Sequence, residues 1–162
     1  MRRRLLAVLA SALLLVPLLV CGAAPSFAAM DVAKQVLIGA DYSDKDLRGA
    51  TFNLSNLREA NLSGSDLRGA SLYGAKLQDA DLSGTDLREA TLDAAVMTGT
   101  DLSDAVLEGA FAFNTRFQDV TITGADFTDV PMRADQLKSL CAVAEGSNPI
   151  TGRDTSTTLG CS

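Results

Sequence analysis

The residues best suited to covalent chemistry in this 162-residue chain are three cysteines, since the sequence contains no histidine. Without histidine, the usual activation of a serine or cysteine nucleophile, most general-base chemistry near neutral pH and most zinc sites are excluded. The formal net charge of −6 argues against binding nucleic acid through a basic patch. What the cysteines at positions 21, 141 and 161 can do depends on the compartment that the chain reaches.

Residues 1–28 have the three parts of a secretory signal peptide. Three arginines near the start precede an apolar run over 5–20, and small residues precede a cleavage point between Ala28 and Ala29. Retention of the apolar run as a membrane anchor and lipidation at Cys21 are the alternatives. The route of export stays open, because the arginines only weakly resemble a twin-arginine signal.

Cleavage after residue 28 removes Cys21 and three arginines but no acids, which takes the formal charge from −6 to −9. Two cysteines then remain, Cys141 and Cys161, and a pair in an exported chain predicts a disulfide. That bond would close a loop of about twenty residues and add roughly 3 kcal/mol of stability in the chain-entropy model. The alternative is a thiol switch, a cysteine pair whose oxidation state is sensed by a redox partner.

A five-residue repeat runs without insertion from Gln35 to Ala134. The middle residue of each block, its centre, is large and apolar in all blocks but the one at Ala112, and the residue two before the centre is usually Ala, Ser or Thr. The centres are Leu37, Tyr42, Leu47, Phe52, Leu57, Leu62, Leu67, Leu72, Leu77, Leu82, Leu87, Leu92, Met97, Leu102, Leu107, Ala112, Phe117, Ile122, Phe127 and Met132. Neither the helical period of 3.6 nor the strand period of 2 explains a step of five.

A chain that turns a corner once per block would point every centre inward. Four blocks then make one coil of twenty residues, and stacked coils form a solenoid in which each coil touches only its neighbours. The centre and the small residue two before it fill the axis, while the other three residues face water. Five stacked coils at about 4.8 Å each predict a column roughly 24 Å long.

Blocks such as "ANLSG", "ADLSG", "SDLRG" and "ADFTD" resemble the pentapeptide-repeat family, whose motif is A(D/N)LXX. The resemblance implies an all-β solenoid, a right-handed quadrilateral β-helix of about five coils. It does not imply a reaction, because members of the family share a shape rather than an activity.

The tail "LCAVAEGSNPITGRDTSTTLGC", together with the signal peptide and the repeat, is similar to the lumenal pentapeptide-repeat proteins of cyanobacterial and chloroplast thylakoids. This resemblance implies export to the thylakoid lumen, with the periplasm as the alternative location.

Caps are expected at both ends, because an open solenoid end exposes core and backbone groups. We predict an N-terminal cap over 29–34, with a short helical turn within 29–36 that has Asp31 as its N-cap. We predict a helical C-terminal cap over 135–162, stapled by the disulfide. Its first helix would end at Gly146 and its second would span about 154–159.

Residues twenty apart should stack on one face, which aligns Arg48, Arg68 and Arg88 beside a column of aspartates. The plain interpretation is a row of solvated ion pairs, each worth little; the alternative is a stripe that docks a protein. A second aspartate column, which includes Asp41 and Asp81, either supports the corners or binds cations. Lys45 occupies an inward place, where an open column end would let its ammonium reach water.

Phe111 and Phe113 flank the small centre Ala112 and should point outward. Two exposed rings would form an apolar patch suited to a protein partner. The alternative is that the rings cover the cap helix or fold over Ala112.

Together these features predict a non-enzymatic exported structural or protein-interaction module, with no cofactor, no metal and no catalytic residues. The expected partner is an unidentified protein, not nucleic acid and, after signal cleavage, not a membrane; a homo-oligomer stays possible. The alternatives are a DNA-mimicking protein that binds a topoisomerase and a redox-responsive lumenal protein that acts through Cys141 and Cys161.

Overall fold

The computed structural model describes residues 30–161. The predicted signal peptide, its cleavage point and Cys21 lie outside the described residues.

Consecutive coils pair through the residue that precedes each centre. Asp41 bridges Asn61, and Asp81 bridges Asp101, always in parallel and always twenty residues apart. The N–H of the centre Leu82 donates to the carbonyl nineteen residues later, at 2.8 Å. In most blocks each side is too short for a named strand, and only β1 (Val96–Thr98) and β2 (Arg116–Gln118) qualify; they pair in parallel.

The corner between two sides is a tight turn after each centre. In the block at Leu37, the N–H of Ala40 donates back to the Leu37 carbonyl at 3.1 Å, and Gly39 between them has φ +65°. The equivalent residue has a positive φ in nearly every block, a conformation that suits glycine best. Leu54 and Ala94 adopt it with φ of 58° and 60°. The stacked coils hold these two residues in a conformation that costs about 1–2 kcal/mol each.

The core of the column contains the centres and the small residues two before them. From Leu47 to Phe127 every centre is buried, and so is almost every small inward residue. Inward hydroxyl groups donate hydrogen bonds to backbone carbonyls. Ser65 Oγ donates to Leu62 O at 2.6 Å, and Thr100 Oγ1 donates to Leu77 O at 2.7 Å. Burial therefore confirms the predicted inward centres from Leu47 to Phe127, whereas Leu37, Tyr42 and Met132 are only partly buried. Lys45, in the first coil, is exposed as expected.

The predicted helical turn at 29–36 is wrong. Asp31 bridges Thr51, and residues 33 and 34 form the same corner turn as later blocks. Asp31 Oδ1 accepts the N–H of Ala33 at 3.0 Å, so its side chain supports a corner instead of a helix. Stacking on the next coil gives the backbone N–H groups of Val32 and Lys34 carbonyl acceptors, which an isolated turn of eight residues could not supply.

The last block, 130–134, does not take the repeat conformation. Pro131 stands where the bridging residue should be and lacks the N–H that Phe111, twenty residues earlier, donates to Ala90. The chain leaves the column there and enters α1 (Ala134–Cys141).

The helix α1 ends at Cys141, before the predicted stop at Gly146. Glu145 bonds to the column instead, because its carbonyl accepts the N–H of Gly124 at 2.9 Å, and Gly146 O accepts the N–H of Thr155 within the cap at 3.0 Å. The second helix, α2 (Thr155–Leu159), lies where it was predicted. Within residues 30–161, no helix has the length and hydropathy needed to cross a membrane.

Candidate interaction surface

The column presents four faces, each built from the residues immediately before and after the centres of that side. We call them the acidic face (centre Leu82), the ion-pair face (centre Leu87), the aromatic face (centre Leu92) and the cationic face (centre Leu77). Each face includes the equivalent positions in the other coils, at steps of twenty residues. Around the column the order is acidic, ion-pair, aromatic and cationic, and the cationic face then adjoins the acidic face of the next coil. The acidic and aromatic faces are thus opposite, as are the ion-pair and cationic faces.

Aspartates on the acidic face support the corners. Asp81 Oδ1 accepts both the N–H of Ser83 at 2.9 Å and its hydroxyl at 2.7 Å. The same pair of bonds recurs in neighbouring coils, and the backbone bond from Ser43, aided by its hydroxyl, lowers the pKa of Asp41. No group of three or more metal-ligating side chains occurs among residues 30–161.

The ion-pair face carries the predicted arginine column. Arg48 binds Asp46 through Nε at 2.8 Å and Nη2 at 2.7 Å, and the next coil repeats the geometry with Arg68 and Asp66. The hydrogen bond from Arg48 lowers the pKa of Asp46 to about 2. Arg48 Nε also lies 3.6 Å from Asp66 Oδ2, so the pairs link into a ladder.

This ladder also includes Arg88, and its arginine side chains are 41% to 49% exposed. Solvent screens such pairs, so their contribution to stability is small. Each guanidinium is already held by an aspartate on its own coil. A docking role for these arginines stays a prediction.

The aromatic face places Phe111 and Phe113 outward, with exposed fractions of 59% and 53%. Because more than half of each ring is exposed, the cap does not cover them, and Ala112 between them belongs to the buried core. With Tyr73 and Pro131 the two rings line a shallow groove of about 440 Å³. Their outward position agrees with the sequence; their role as an interface stays a prediction.

Hydrogen bonds between coils fix the corners next to these rings. Asp93 Oδ1 accepts the N–H of Asn114 at 2.8 Å, just after Phe113. Asn53 Oδ1 accepts the N–H of Tyr73 at 3.1 Å and the hydroxyl of Ser71 at 2.6 Å. The aromatic side chains therefore project from a rigid scaffold.

The cationic face was not predicted from the sequence. Arg58, Lys76 and Arg116 are exposed, and none has a carboxylate within 4.0 Å among residues 30–161. No acidic residue stands directly before or after any centre of this face. The repeat register would have revealed this alignment, because Lys76 and Arg116 are two coils apart.

The cap is joined to the column through Asn148 and Arg153, whose contacts were not predicted from the sequence. Asn148, buried, donates through Nδ2 to the carbonyls of Asp104 at 3.0 Å and Gly124 at 2.9 Å. Arg153 pairs with Glu108 at 2.6 Å and with buried Asp126 at 2.8 Å.

Burial raises the pKa of Asp126, but hydrogen bonds from Thr128 and Thr151 and the charge of Arg153 outweigh it, so the pKa is lowered overall. In the cap itself, Cys141 and Cys161 form a disulfide with Sγ atoms 1.98 Å and Cα atoms 5.6 Å apart.

A family model described as pentapeptide repeats matches residues 36–69, 70–109 and 92–129, with eight copies. A crystal structure of a pentapeptide repeat protein from the Arabidopsis thaliana thylakoid lumen is 44% identical, with a TM-score of 0.65. The match covers 84% of this chain and 88% of that one.

Two curated Arabidopsis thaliana proteins match over shorter segments. The chloroplast thylakoid lumenal 15 kDa protein 1 is 62% identical over 39 residues, which are 24% of this chain and 17% of that protein. The chloroplast thylakoid lumenal protein TL20.3 is 50% identical over 38 residues, 24% of this chain and 14% of that protein. The matches therefore span about a sixth of the length of these relatives.

Proposed function

Since the chain belongs to the pentapeptide-repeat family, whose members form right-handed quadrilateral β-helices, we propose that it is a non-enzymatic protein-interaction module of the thylakoid lumen. In this proposal a column of about five coils, closed by a disulfide-stapled helical cap, serves as a rigid scaffold. The observation that carries it is the pair of exposed rings, Phe111 and Phe113, on a face whose corners are fixed by hydrogen bonds. Exposed aromatic patches of this kind are typical of protein interfaces.

A non-enzymatic role is supported by how the polar side chains are used. The aspartates of the acidic face hold corner turns, those of the ion-pair face hold arginines, and Asp126 holds the cap. Most polar clusters of the described column thus have a structural task. The sequence adds the lack of histidine for general-base chemistry.

A lumenal location is supported by the named location of the relatives and by the signal-peptide pattern of residues 1–28. A disulfide between Cys141 and Cys161 fits the same proposal, because it requires an oxidising compartment. The periplasm would meet that requirement too. A DNA-mimicking protein that binds a topoisomerase would instead have its target in the cytoplasm, and we do not propose it.

The interaction proposal is tested by cross-linking in the native compartment. A chain carrying F111S and F113S should lose a cross-linked species that the wild-type chain forms. A chain carrying V143S and I150S is the matched control, because these residues are also exposed and apolar but lie on the cap. The proposal is wrong if the same species form with and without the two rings.

One observation favours the redox alternative: Cys141 and Cys161 are only partly buried, so a thiol partner could reach them. Thiol labelling of the protein from its compartment distinguishes the two roles. A structural bond is oxidised in all molecules and withstands mild thiol reductants, whereas a regulatory bond is reduced in a measurable fraction.

A further inference from the structure

The aromatic and cationic faces meet at one corner of the column. Phe113 and Arg116 stand on either side of the corner at Asn114, and Tyr73 and Lys76 stand in the same relation at Gly74. Parallel bridges connect Lys76 through Val96 to Arg116, so the two aromatic–cation pairs are two coils apart. That separation is about 10 Å at the spacing of stacked strands.

We propose that this corner is one docking surface for a protein segment that combines apolar and acidic side chains. The inference rests on the proposed function and adds the chemistry of the partner. An apolar side chain fills the groove between Tyr73 and the rings of Phe111 and Phe113, and carboxylates pair with Lys76 and Arg116.

Charge complementarity singles out this corner from the others. On the ion-pair face the cations are already bound to aspartates, and on the acidic face no cation stands next to a centre. The cationic face has three basic side chains without a carboxylate partner among residues 30–161. The expected mature charge of −9 repels an acidic partner elsewhere on the molecule, which directs it to this face.

A second copy of this chain fits the corner poorly. Its acidic face offers carboxylates but no exposed large apolar side chain for the groove. If two copies paired through this corner, Lys76 and Arg116 of one copy would face the same two cations of the other copy, and the charges would repel. Nucleic acid would match the cations but not the overall negative charge.

The test measures binding of a fluorescein-labelled decapeptide that alternates aspartate with leucine, by fluorescence anisotropy at low salt. Two matched peptides replace aspartate with asparagine or with lysine. We expect the acidic peptide to bind best, and the variant K76E/R116E to weaken it by about tenfold or more. The control K45E/K138E makes the same change in charge at exposed lysines away from the corner and should leave binding within about twofold.

The proposal is overturned if the acidic peptide shows no saturable binding up to about 1 mM, or if the lysine peptide binds equally well. It is also overturned if K76E/R116E binds like the wild type. A concentration-dependent dimer in sedimentation that F111S/F113S abolishes would make this face a self-interface and would also refute it. If cross-linking in the compartment depends on the rings but not on Lys76 and Arg116, the proposed function stands and the inference about acidic partners fails.

Discussion

At the carboxyl end of the column two backbone donors have side-chain partners in the cap, whereas at the amino end two backbone donors of the first coil have no backbone acceptor among residues 30–161. The N–H of Phe117 donates to Gln136 Oε1 at 2.9 Å, and that of Phe127 to Thr158 Oγ1 at 3.1 Å. Among residues 30–161, by contrast, no backbone carbonyl accepts the N–H of Val36 or Asp41.

The two ends also differ in core composition. The last centre of the column, Phe127, is buried beneath the cap, while Leu37 and Tyr42 in the first coil are only partly buried. Gln35 and Lys45 occupy inward places there and are exposed. An inward charge such as that of Lys45 discourages an exposed strand edge from pairing. One end is therefore closed by packing and the other is protected by polar side chains.

The largest expected difference is between a charged substitution in the middle of the column and the same substitution at its amino end. Leu82→Asp should lower the free energy of unfolding by more than about 5 kcal/mol, because a carboxylate replaces a fully buried side chain. Leu37→Asp should cost only about 1–2 kcal/mol, because Leu37 is partly exposed in the first coil. Urea denaturation followed by circular dichroism measures both, and equal losses would contradict the inward packing.

Removing the disulfide should affect the carboxyl end alone. Changing both Cys141 and Cys161 to Ser should lower cap stability by about 3 kcal/mol, through the loop that the bond closes. Hydrogen exchange should speed up in α1 and α2 while the central coils keep their protection. Loss of protection throughout the column would show that the cap and the repeat unfold as one unit.

Asn148 offers a sharper test of how the cap is attached. Asn148→Asp replaces a buried donor with a carboxylate that faces the carbonyls of Asp104 and Gly124, and should cost about 2–3 kcal/mol. Asn53→Asp is the matched control, because Asn53 uses only its acceptor oxygen and a carboxylate can replace it. Limited proteolysis of the tail reads out attachment, and equal sensitivity of the two variants would refute this role.

Acid should loosen the capped end at a defined pH. The pKa of Asp126 is lower in the folded protein, so its contribution is complete above its ordinary value of 3.8 and is lost as the pH falls through the folded value. With no histidine in the sequence, stability should stay level between about pH 5 and 8. Hydrogen exchange of Gly124 measures this, and an Asp126→Asn variant should lose the acid response below about pH 4.

The smallest effect is expected at Lys45. Lys45→Ala should change the free energy of unfolding by less than about 0.5 kcal/mol, because the side chain is exposed at the open end. Ser65 occupies the same place one coil later and is buried, so Ser65→Lys should cost several-fold more. Similar thermal midpoints for the two variants would show that the first coil is not open.

The repeat could be predicted from sequence because its register is local. Each block places its own centre and corner, and an uninterrupted period of five carries Leu47 and Phe127 to equivalent inward positions. The first block, "MDVAK", was misread because Met30 is larger than the usual inward residue and Lys34 replaces the common corner residues. Its conformation comes from stacking on the next coil.

The attachment of the cap could not be predicted in the same way. Asn148 reaches carbonyls 24 and 44 residues away, and Arg153 reaches Glu108 over 45 residues. No local pattern encodes contacts across such distances. The outward direction of Phe111 followed from the register, whereas the alignment of Lys76 with Arg116 shows only when the coils are laid over one another.

Stacking of equivalent coils does not by itself limit the number of coils, because the lower rim of each coil fits the upper rim of the next. Pro131 interrupts this succession, and α1 and α2 then occupy the rim that another coil would use. A chain without these helices would present an unpaired rim at its carboxyl end, which a further coil of the same kind could extend. The cap therefore acts as a terminator that gives every molecule the same finite length.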